Sequence, residues 1–278
     1  MFRSRKLVIA TMHGKESVMA PLLEKELGVH CMVSPEFNTD SFGTFSGEVK
    51  REKDALETAR LKCYAAMDAT GCDLAVASEG SFGPHPVYFF APSDEEIVLL
   101  LDRKNGIEIW ARELSTQTNF NAKEVKSSAE LLDFLHAVEF PSHAVILRES
   151  SIGTVCMHKG IHTEEHLHDA FNQLINRFGV AYIETDMRAM HNPSRMKVIE
   201  QATAKLINKV LAVCPSCAWP GFDITNHKTG LPCSLCGMPT QSTLSHIYSC
   251  VSCGFSREQF YPKGKETEEP RFCDYCNP

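Results

Sequence analysis

Eight of the twelve cysteines fall into four C-x-x-C pairs near the C-terminal end of the 278-residue chain. The pairs are Cys214/Cys217, Cys233/Cys236, Cys250/Cys253 and Cys273/Cys276. A C-x-x-C turn presents two thiolates from one backbone knuckle, and zinc takes four thiolates in a tetrahedron. The spacing therefore predicts two structural zinc sites with no open position for catalysis. The simplest pairing is sequential, first with second and third with fourth, which gives two zinc ribbons; a cross-braced pairing, first with third, is the alternative.

Three other segments concentrate polar residues where α/β proteins place their ligands. They are Ala10-Thr11-Met12-His13-Gly14-Lys15-Glu16, Glu57-Thr58-Ala59-Arg60-Leu61-Lys62 and Ser78-Glu79-Gly80-Ser81-Phe82-Gly83. In the first, a strand passes through glycine into a helix, a turn that suits phosphate, although a solvated Lys15 at a helix start fits the same letters. The second alone is typical of a charged helix face. Glu57 and Glu79 could together bind Mg²⁺, which takes one or two carboxylates plus phosphate oxygens.

The three segments together resemble the inosine-triphosphate pyrophosphatase-like (ITPase-like) superfamily. That superfamily opens approximately with A-T-x-N-x-G-K, followed by E-N-A-x-x-K-A on a helix and by an acidic, glycine-containing strand end. The matching segments here are Ala10–Lys15, Glu57–Cys63 and Ser78–Ser81. Several letters differ: one residue separates Thr11 from His13, Thr58 replaces the second asparagine, and a single Glu79 stands where paired aspartates are common.

The Glu-Gly form is closer to a branch that resembles xanthosine and inosine triphosphatases. In that branch a late T-R-x-x-x-Y-E-x-A segment is similar to Ser194–Ala202, so the likeness covers roughly residues 7 to 210. The whole chain is also similar to an uncharacterised bacterial family with a double zinc tail.

The resemblance implies Mg²⁺-dependent hydrolysis of a nucleoside triphosphate, such as a non-standard purine nucleotide, by a pyrophosphatase or phosphatase. On this interpretation Glu57 and Glu79 hold metal or activate water. The residues expected to bind phosphate or substrate are Thr11, His13, Lys15, Lys62, Ser81, Arg188 and Arg195. Arg188 and Arg195 could hold phosphate bidentately, although internal salt bridges at a capped helix entry explain them equally well.

Two other function classes remain open. His162-Thr163-Glu164-Glu165-His166 fits the H-x-x-E-H pattern of zinc peptidases, whereas Thr163 capping a helix with two glutamates in its first turn explains the same letters. The alternative to an enzyme is a module that senses a nucleotide and contacts nucleic acid or protein through the tail. The tail residues that could serve such contacts are Phe222, Tyr248, Phe260, Tyr261, Lys228, Lys263 and Lys265.

The elements that must position these residues alternate between strand and helix patterns, which predicts an α/β body. Strands are expected at Leu7–Met12, Val29–Val33, Leu74–Ala77, Ala144–Leu147, Gly153–Met157 and Ala181–Glu184. Helices are expected from about Asp54 to Ala69, over the stripe Leu167–Phe178 and from Pro193 onward. Ile97–Leu101 and Ile107–Ala111 flank an Asn-Gly turn and predict a hairpin, so the sheet is mixed. The expected architecture is a mixed-sheet, ITPase-like α/β domain over residues 1–212 with a double zinc-ribbon tail over 213–278.

Bulk composition sets the remaining expectations. With 43% apolar and 23% charged residues the chain is typical of a globular protein, and a net charge of −7 disfavours broad nonspecific binding to nucleic acid. No apolar run reaches the roughly 20 residues of a membrane span, so we expect no membrane partner. Cysteines at metal-ligand spacing favour zinc in a reducing compartment, the cytoplasm. The other four cysteines, Cys31, Cys63, Cys72 and Cys156, are expected in the core.

Overall fold

The computed structural model describes residues 1–33 and 53–278. They form two compact units, Met1–Ile207 and Asn208–Pro278, compared with a predicted boundary between residues 212 and 213. The first unit contains two sheets and five helices begin in it, whereas the second contains one small sheet and all eight paired cysteines.

The first sheet has five strands in the order β2-β1-β3-β4-β5. Their bounds are β1 Lys6–Ala10, β2 His30–Val33, β3 Leu74–Pro84, β4 Pro92–Asp102 and β5 Ile107–Ser115. β1 runs parallel to β2 and β3, whereas β3, β4 and β5 are mutually antiparallel. The sheet is therefore mixed, and the hairpin predicted at the Asn-Gly turn is confirmed, with Gly106 at φ 66°.

Two helices accompany this sheet. α1 (Glu16–Leu27) ends at Gly28 in the left-handed conformation, and α2 (Ala55–Thr70) begins where the Asp54 side chain accepts a hydrogen bond from the backbone N–H of Glu57. The buried side of α2 packs on alternate apolar residues of β1, β3 and β4. This core is formed by Val8, Ala59, Cys63, Ala66, Met67, Ala75, Ala77, Leu99 and Leu101, among others. Packing on α2 fixes which side of β3 each polar residue at its end will face.

The second sheet has four antiparallel strands in the order β6-β9-β7-β8. They are β6 Ala122–Val125, β7 Val145–Arg148, β8 Met157–Ile161 and β9 Ala181–Thr185. The accompanying helices are α3 Ser128–Ala137, α4 Glu164–Phe178 and α5 Pro193–Leu211. α3 and α4 bury leucine and phenylalanine side chains against this sheet. Within residues 1–33 and 53–278, no helix is long and apolar enough to cross a bilayer.

Two sequence predictions about strands are wrong. The loop predicted after Ala77 is strand: β3 continues to Pro84 because every residue from Leu74 onward finds a partner on β4, and this pairing overrides the glycines. The strand predicted at Gly153–Met157 instead begins at Met157, because the preceding residues form a turn in which the Glu149 carboxylate accepts the backbone N–H groups of Val155 and Cys156.

The second unit has one antiparallel sheet in the order β10-β11-β12. The strands are β10 Asp223–Thr229, β11 Thr243–Ser249 and β12 Ser256–Phe260, and they alternate with the cysteine pairs along the chain. Its apolar cluster is small: Phe222 with two buried cysteines, against which Trp219 and Tyr248 pack. A unit with so little apolar core needs additional cross-links for stability.

Candidate functional site

The polar segments meet where β1 ends and β3 continues. Ala10, the last residue of β1, lies beside Ala77, and β3 then runs on through Ser78, Glu79 and Gly80 without β1 as a neighbour. The turn that follows β1 leads to Lys15 at the start of α1. Because carboxyl ends of parallel strands meet at one edge of a sheet, this arrangement brings the first and third sequence segments together.

Lys15 is a buried cation at this edge. Its Nζ donates hydrogen bonds to the Ser78 carbonyl oxygen at 3.1 Å and to the Ser78 Oγ at 2.9 Å. Burial, followed by the positive charge of Arg195, lowers the pKa of Lys15 to about 8, against the opposing effects of Glu96 and Glu79. Lys15 therefore loses its charge at a pH only slightly above neutral, and an anion beside it would favour the charged form.

Lys62 and Glu79 form an ion pair on the other side of β3, where α2 packs. Both side chains are about nine-tenths buried. Glu79 points to this side because strand residues alternate between faces, and Ser78 and Gly80 point the opposite way. Glu79 and Lys62 nevertheless lie close enough to act on the pKa of Lys15. One face of β3 therefore carries the Lys62–Glu79 ion pair, and the opposite face carries Lys15 bonded to Ser78.

Arg195, near the start of α5, reaches the face of β3 that carries Ser78 and Gly80. Its Nε donates to Glu96 Oε1 at 2.6 Å, its Nη1 donates to the Met187 carbonyl oxygen, and its guanidinium lies 5.0 Å from the centre of the Phe82 ring. Its backbone N–H donates to the side chain of Asn192 at 2.9 Å. These contacts hold Arg195 near Lys15, and the Glu96 carboxylate interacts with both cations.

Two carboxylates that sequence reasoning did not select complete the cluster. Glu96 lies directly opposite Gly80 and Asp94 directly opposite Phe82, so both face the side of β3 on which Arg195 lies. Both residues are fully buried. Burial, followed by the negative charge of Glu96, raises the pKa of Asp94 to about 8, while Arg195 and Lys15 oppose the rise. The sequence signal for this pair was the acidic run Asp94-Glu95-Glu96 directly before the apolar residues of β4.

The remaining predicted residues are placed as follows. Thr11 is buried, and its Oγ1 accepts the backbone N–H of His13 at 3.2 Å. Ser81 follows Gly80 on β3, on the face that carries Glu79. The ion pairs that the structure gives Glu57 join it to Lys53, which precedes α2, and to Arg60 on the same helix, not to the cluster around β3.

Arg188 forms an ion pair with a different acidic residue, Asp186. Its Nε and Nη2 donate to both carboxylate oxygens of Asp186 at 3.0 and 2.6 Å, and Asp186 itself is fully buried. This is the internal salt bridge that the sequence offered as the alternative to phosphate binding. Arg188 follows Met187, whose carbonyl oxygen accepts a hydrogen bond from Arg195 Nη1.

A cavity of about 330 Å³ lies close to the Lys15 turn. It is lined by Pro141, Ser142, Ala144, His162, Met190 and His191. Met190 connects the cavity to the cluster, since a Cβ built on Gly14 would lie 3.7 Å from the Met190 Cβ. Burial lowers the pKa of His191, so neutral imidazole lines this space. A cavity of this size is in the range of small-molecule sites.

The H-x-x-E-H segment has the geometry of a helix cap. Thr163 is the N-cap of α4 and its Oγ1 accepts the His166 backbone N–H at 3.4 Å, while Glu164 and Glu165 occupy the first turn. His162 precedes the helix and contacts the Gly160 carbonyl oxygen through Nδ1 at 2.8 Å. The two histidines therefore do not share a helix face. In the part of the chain that the structure describes, no three-ligand cluster includes them.

The eight paired cysteines form two clusters that could each hold a zinc ion, and of the two pairings that the sequence left open the structure has the cross-braced one rather than the simpler sequential one. Cys214 and Cys217 lie with Cys250 and Cys253, while Cys233 and Cys236 lie with Cys273 and Cys276. The pairing is cross-braced because β10 and β11 separate successive cysteine pairs along the chain, and folding of the sheet brings alternate pairs together.

The sulfur positions fit tetrahedral thiolate coordination. Sγ–Sγ separations between cysteines of different pairs are 3.7 and 3.6 Å in one cluster and 3.9 and 3.6 Å in the other. A zinc tetrahedron with Zn–S of about 2.3 Å has an edge of about 3.8 Å, far longer than a disulfide. Backbone N–H groups of Cys236 and Leu235 lower the pKa of Cys233 to about 7, and those of Cys253 and Ser252 act likewise on Cys250. Both effects favour the thiolates that zinc requires.

Comparison with known proteins identifies the family. A family model described as "Domain of unknown function (DUF6671)" matches residues 62–278. The chain belongs to the DUF6671 family. The DUF6671 match starts at Lys62 in α2 and includes Glu79, Asp94, Glu96 and Arg195 together with all eight paired cysteines. Lys15 lies before its start.

Other comparisons add little. No curated protein matches this DUF6671 chain. Five chains of solved structures match, among them a lipoprotein described as GNA1162 from Neisseria meningitidis. That structure shares 14% identity, covers 49% of this chain and 95% of its own, and has a TM-score of 0.21. A likeness this low carries no argument about fold or function.

The other polar features of the DUF6671 tail are mostly internally satisfied. Lys228 pairs with Glu258 at 2.9 Å and Lys265 pairs with Glu268 at 2.7 Å. The Phe222 ring stacks with Tyr248, and Arg257 lies over both rings. Of the four cysteines outside the clusters, three are buried as predicted, whereas Cys31 is half-buried.

Proposed function

We propose that this DUF6671 protein is a Mg²⁺-dependent hydrolase of nucleoside triphosphates or closely related phosphorylated small molecules. The observation that carries the proposal is the convergence of Lys15, Lys62 and Arg195 with the carboxylates of Glu79 and Glu96 at the end of β1. These residues come from five different places, the start of α1 and the elements α2, β3, β4 and α5, and their meeting is not explained by the packing of any one of them. The sequence likeness to ITPase-like proteins supports the same conclusion.

The cations suit phosphoryl chemistry. Enzymes that cleave phosphate esters act mainly by positioning the phosphates and neutralising the charge that develops on their oxygens. Lys15 and Arg195 face the same side of β3 and supply two positive groups where the backbone at Gly80 carries no side chain. A ligand with several phosphate oxygens would exchange the present partners of these groups for charge-assisted hydrogen bonds.

Glu79 is assigned to orient or deprotonate the attacking water. Its carboxylate is buried against Lys62, and this ion pair fixes its direction. Mg²⁺, when bound with the phosphates, would supply charge neutralisation, and carboxylate oxygens are the donors this ion prefers. The cavity of about 330 Å³ next to the Lys15 turn is large enough for part of a nucleoside.

For the tail we propose two structural zinc ions, one in each cross-braced cluster. Four cysteines close each tetrahedron, so neither ion has a position for substrate. The proposal is supported by the sulfur separations of 3.6 to 3.9 Å. Chemistry is thereby assigned to the first unit and stabilisation of the fold to the metals of the second.

The test is release of phosphate or pyrophosphate from a panel of standard and non-standard nucleoside triphosphates with Mg²⁺. Glu79→Gln should lower turnover of the best substrate by about 10²-fold or more, because a group that activates water contributes on that scale. Glu184→Gln is the matched control, since Glu184 is also a buried carboxylate in an ion pair, with Arg148 at 2.8 Å on the other sheet. Turnover of this variant should stay near the parent value.

The same panel separates the enzyme from a nucleotide sensor. If no nucleotide is cleaved while the folded protein binds one, the hydrolase proposal fails and the binding module is favoured. Glu57→Gln belongs in the series as well, because Glu57 retains its predicted catalytic role only if this substitution reduces turnover as Glu79→Gln does.

A further inference from the structure

Two buried carboxylates on β4 have more acceptor capacity than the surrounding protein satisfies. Among the described residues, neither oxygen of Asp94 has a hydrogen-bond partner, and Glu96 Oε2 also lacks one. Glu96 Oε1 accepts from Arg195. Both side chains are fully buried. Buried carboxylate oxygens without partners are costly and are uncommon unless a ligand or ion satisfies them.

The strand geometry aims the two groups at one place. Asp94 and Glu96 are two residues apart on β4 and therefore face the same side of the sheet. Gly80 lies opposite Glu96, and a Cβ built there would lie 2.5 Å from both Glu96 Oε1 and Arg195 Nη2. The absence of a side chain at residue 80 thus lets the Glu96 carboxylate and the Arg195 guanidinium lie against the backbone of β3. A cation between the two carboxylates would compensate the repulsion between them.

We infer that Asp94 and Glu96 bind one divalent cation of the hard, oxygen-preferring class, Mg²⁺ or Mn²⁺. Two carboxylates supply part of an octahedral shell, and water or phosphate oxygens supply the rest. Softer metals are disfavoured because the two proposed ligands are carboxylates, and the groups of three or more possible ligands among the described residues are the two cysteine clusters of the second unit. The cation would lie beside Lys15 and Arg195 and would meet phosphates there, an aspect that rests on the proposed function; cation binding itself does not.

This site differs from the one implied by the family resemblance, which uses Glu57 and Glu79. Glu79 points to the other face of β3 and is paired with Lys62, whereas Glu57 is paired on its own helix. The two assignments therefore predict different residues for metal binding. They can be separated without any substrate.

The experiment measures binding of Mn²⁺ alone to the full-length, zinc-loaded protein, with free Mn²⁺ followed by electron paramagnetic resonance. The parent should bind one Mn²⁺ that Mg²⁺ displaces, and Asp94→Asn and Glu96→Gln should each weaken this binding by about 10-fold or more. Glu57→Gln should bind as the parent does. Unchanged binding by Asp94→Asn, loss of binding by Glu57→Gln alone, or no displaceable Mn²⁺ in the parent would overturn the inference.

A second measurement on the unaltered chain covers the case in which the variants do not fold. Fe²⁺ with ascorbate and peroxide cleaves backbone close to a bound ion, and mass spectrometry locates the cuts. Cuts should cluster in β3 and β4 around Gly80 and Asp94 and disappear with excess Mg²⁺. Cuts around Glu57 instead would refute the site.

The outcomes for the proposed hydrolase function and for the cation site can be distinguished. If Mn²⁺ binds as expected while no nucleotide is hydrolysed, the cation site stands and the hydrolase proposal fails. If nucleotides are hydrolysed while Asp94→Asn retains both activity and Mn²⁺ binding, the hydrolase stands and the cation site fails.

Discussion

At the residue scale, the burial of the Lys15 side chain is the main electrostatic feature of the site. Lys15 is buried at the start of α1, and among the described residues its hydrogen bonds go to no carboxylate. Such a lysine is unusual, since burial disfavours its charge. Here its hydrogen bonds go to the carbonyl and hydroxyl oxygens of Ser78, which are neutral. Such a group is costly to fold and is in place to receive an anion.

This cost should appear in the pH dependence of stability. The folded pKa of Lys15, about 8, lies below the ordinary value of 10.5, so the unfolded chain binds more protons between these values. The contribution of Lys15 to the free energy of unfolding should therefore become more favourable as pH rises from 7.5 to 9.5, by on the order of 2 kcal/mol relative to Lys15→Met. Urea denaturation of both proteins at the two pH values measures it.

The control for this prediction is Lys25→Met. Lys25 lies in the last turn of the same helix and is largely exposed, so its replacement should leave the pH profile parallel to that of the parent. If Lys15→Met is also parallel to the parent, Lys15 is not the strained cation that the structure indicates.

At the scale of elements, the long hairpin of β3 and β4 determines which polar residues meet. Eleven residues of each strand pair in register, from Leu74 with Asp102 to Pro84 with Pro92. The pairing sets Gly80 against Glu96, within reach of Arg195. The glycine is therefore required by the close approach of two charged side chains rather than by a turn.

Substitution of the two glycines of β3 tests this point. Gly80→Ala places a Cβ about where Glu96 Oε1 and Arg195 Nη2 now lie, so it should destabilise the protein by about 1–3 kcal/mol. Gly83→Ala has no neighbour within 4 Å of the new Cβ, and its effect should stay within about 0.5 kcal/mol. Thermal and urea unfolding of the pair give the comparison; equal effects would contradict the assigned close approach.

The cross-braced and sequential pairings predict opposite zinc contents for two double variants of the tail. Cys214→Ser with Cys250→Ser removes two ligands of one cluster and should leave one zinc per chain. Cys214→Ser with Cys233→Ser removes one ligand from each cluster and should weaken both sites, lowering the zinc content further. Zinc is measured by mass spectrometry after dialysis. Under sequential pairing the second double variant, not the first, would retain one intact site.

At the scale of the whole molecule, the two units differ in what stabilises them. The first unit has apolar cores between its helices and its sheets. The second has the small cluster around Phe222, so metal binding should supply most of its folding free energy. The loss of zinc is therefore expected to unfold the second unit and to leave the first folded.

The two tryptophans report on the units separately, because Trp110 lies in β5 and Trp219 in the second unit. In Trp110→Phe, a zinc chelator should shift the emission of Trp219 to that of exposed indole. In Trp219→Phe, the emission of Trp110 should remain unchanged under the same conditions. A chelator-induced change of equal size in both variants would show that the first unit also depends on the metals.

The sequence by itself determined the local features of this protein. The Asn-Gly turn predicted the β4–β5 hairpin, and the C-x-x-C pairs identified all eight cysteines of the two clusters. Each depends on neighbours a few residues apart, so composition and spacing suffice. Lys15, Lys62, Glu79 and Arg195 were also found from local patterns, although their mutual contacts were not.

The tertiary structure alone decided which of these features meet. Cross-bracing of the cysteines follows from the order of three antiparallel strands, and spacing along the chain contains no information about it. Asp94 and Glu96 became visible only when the β3–β4 register placed them opposite Phe82 and Gly80. The same register turned the predicted loop after Ala77 into strand and directed Glu79 to one face and Ser78, the hydrogen-bond partner of Lys15, to the other. Long-range pairing fixes the side of a sheet on which a charge lies, and that side determines its chemistry.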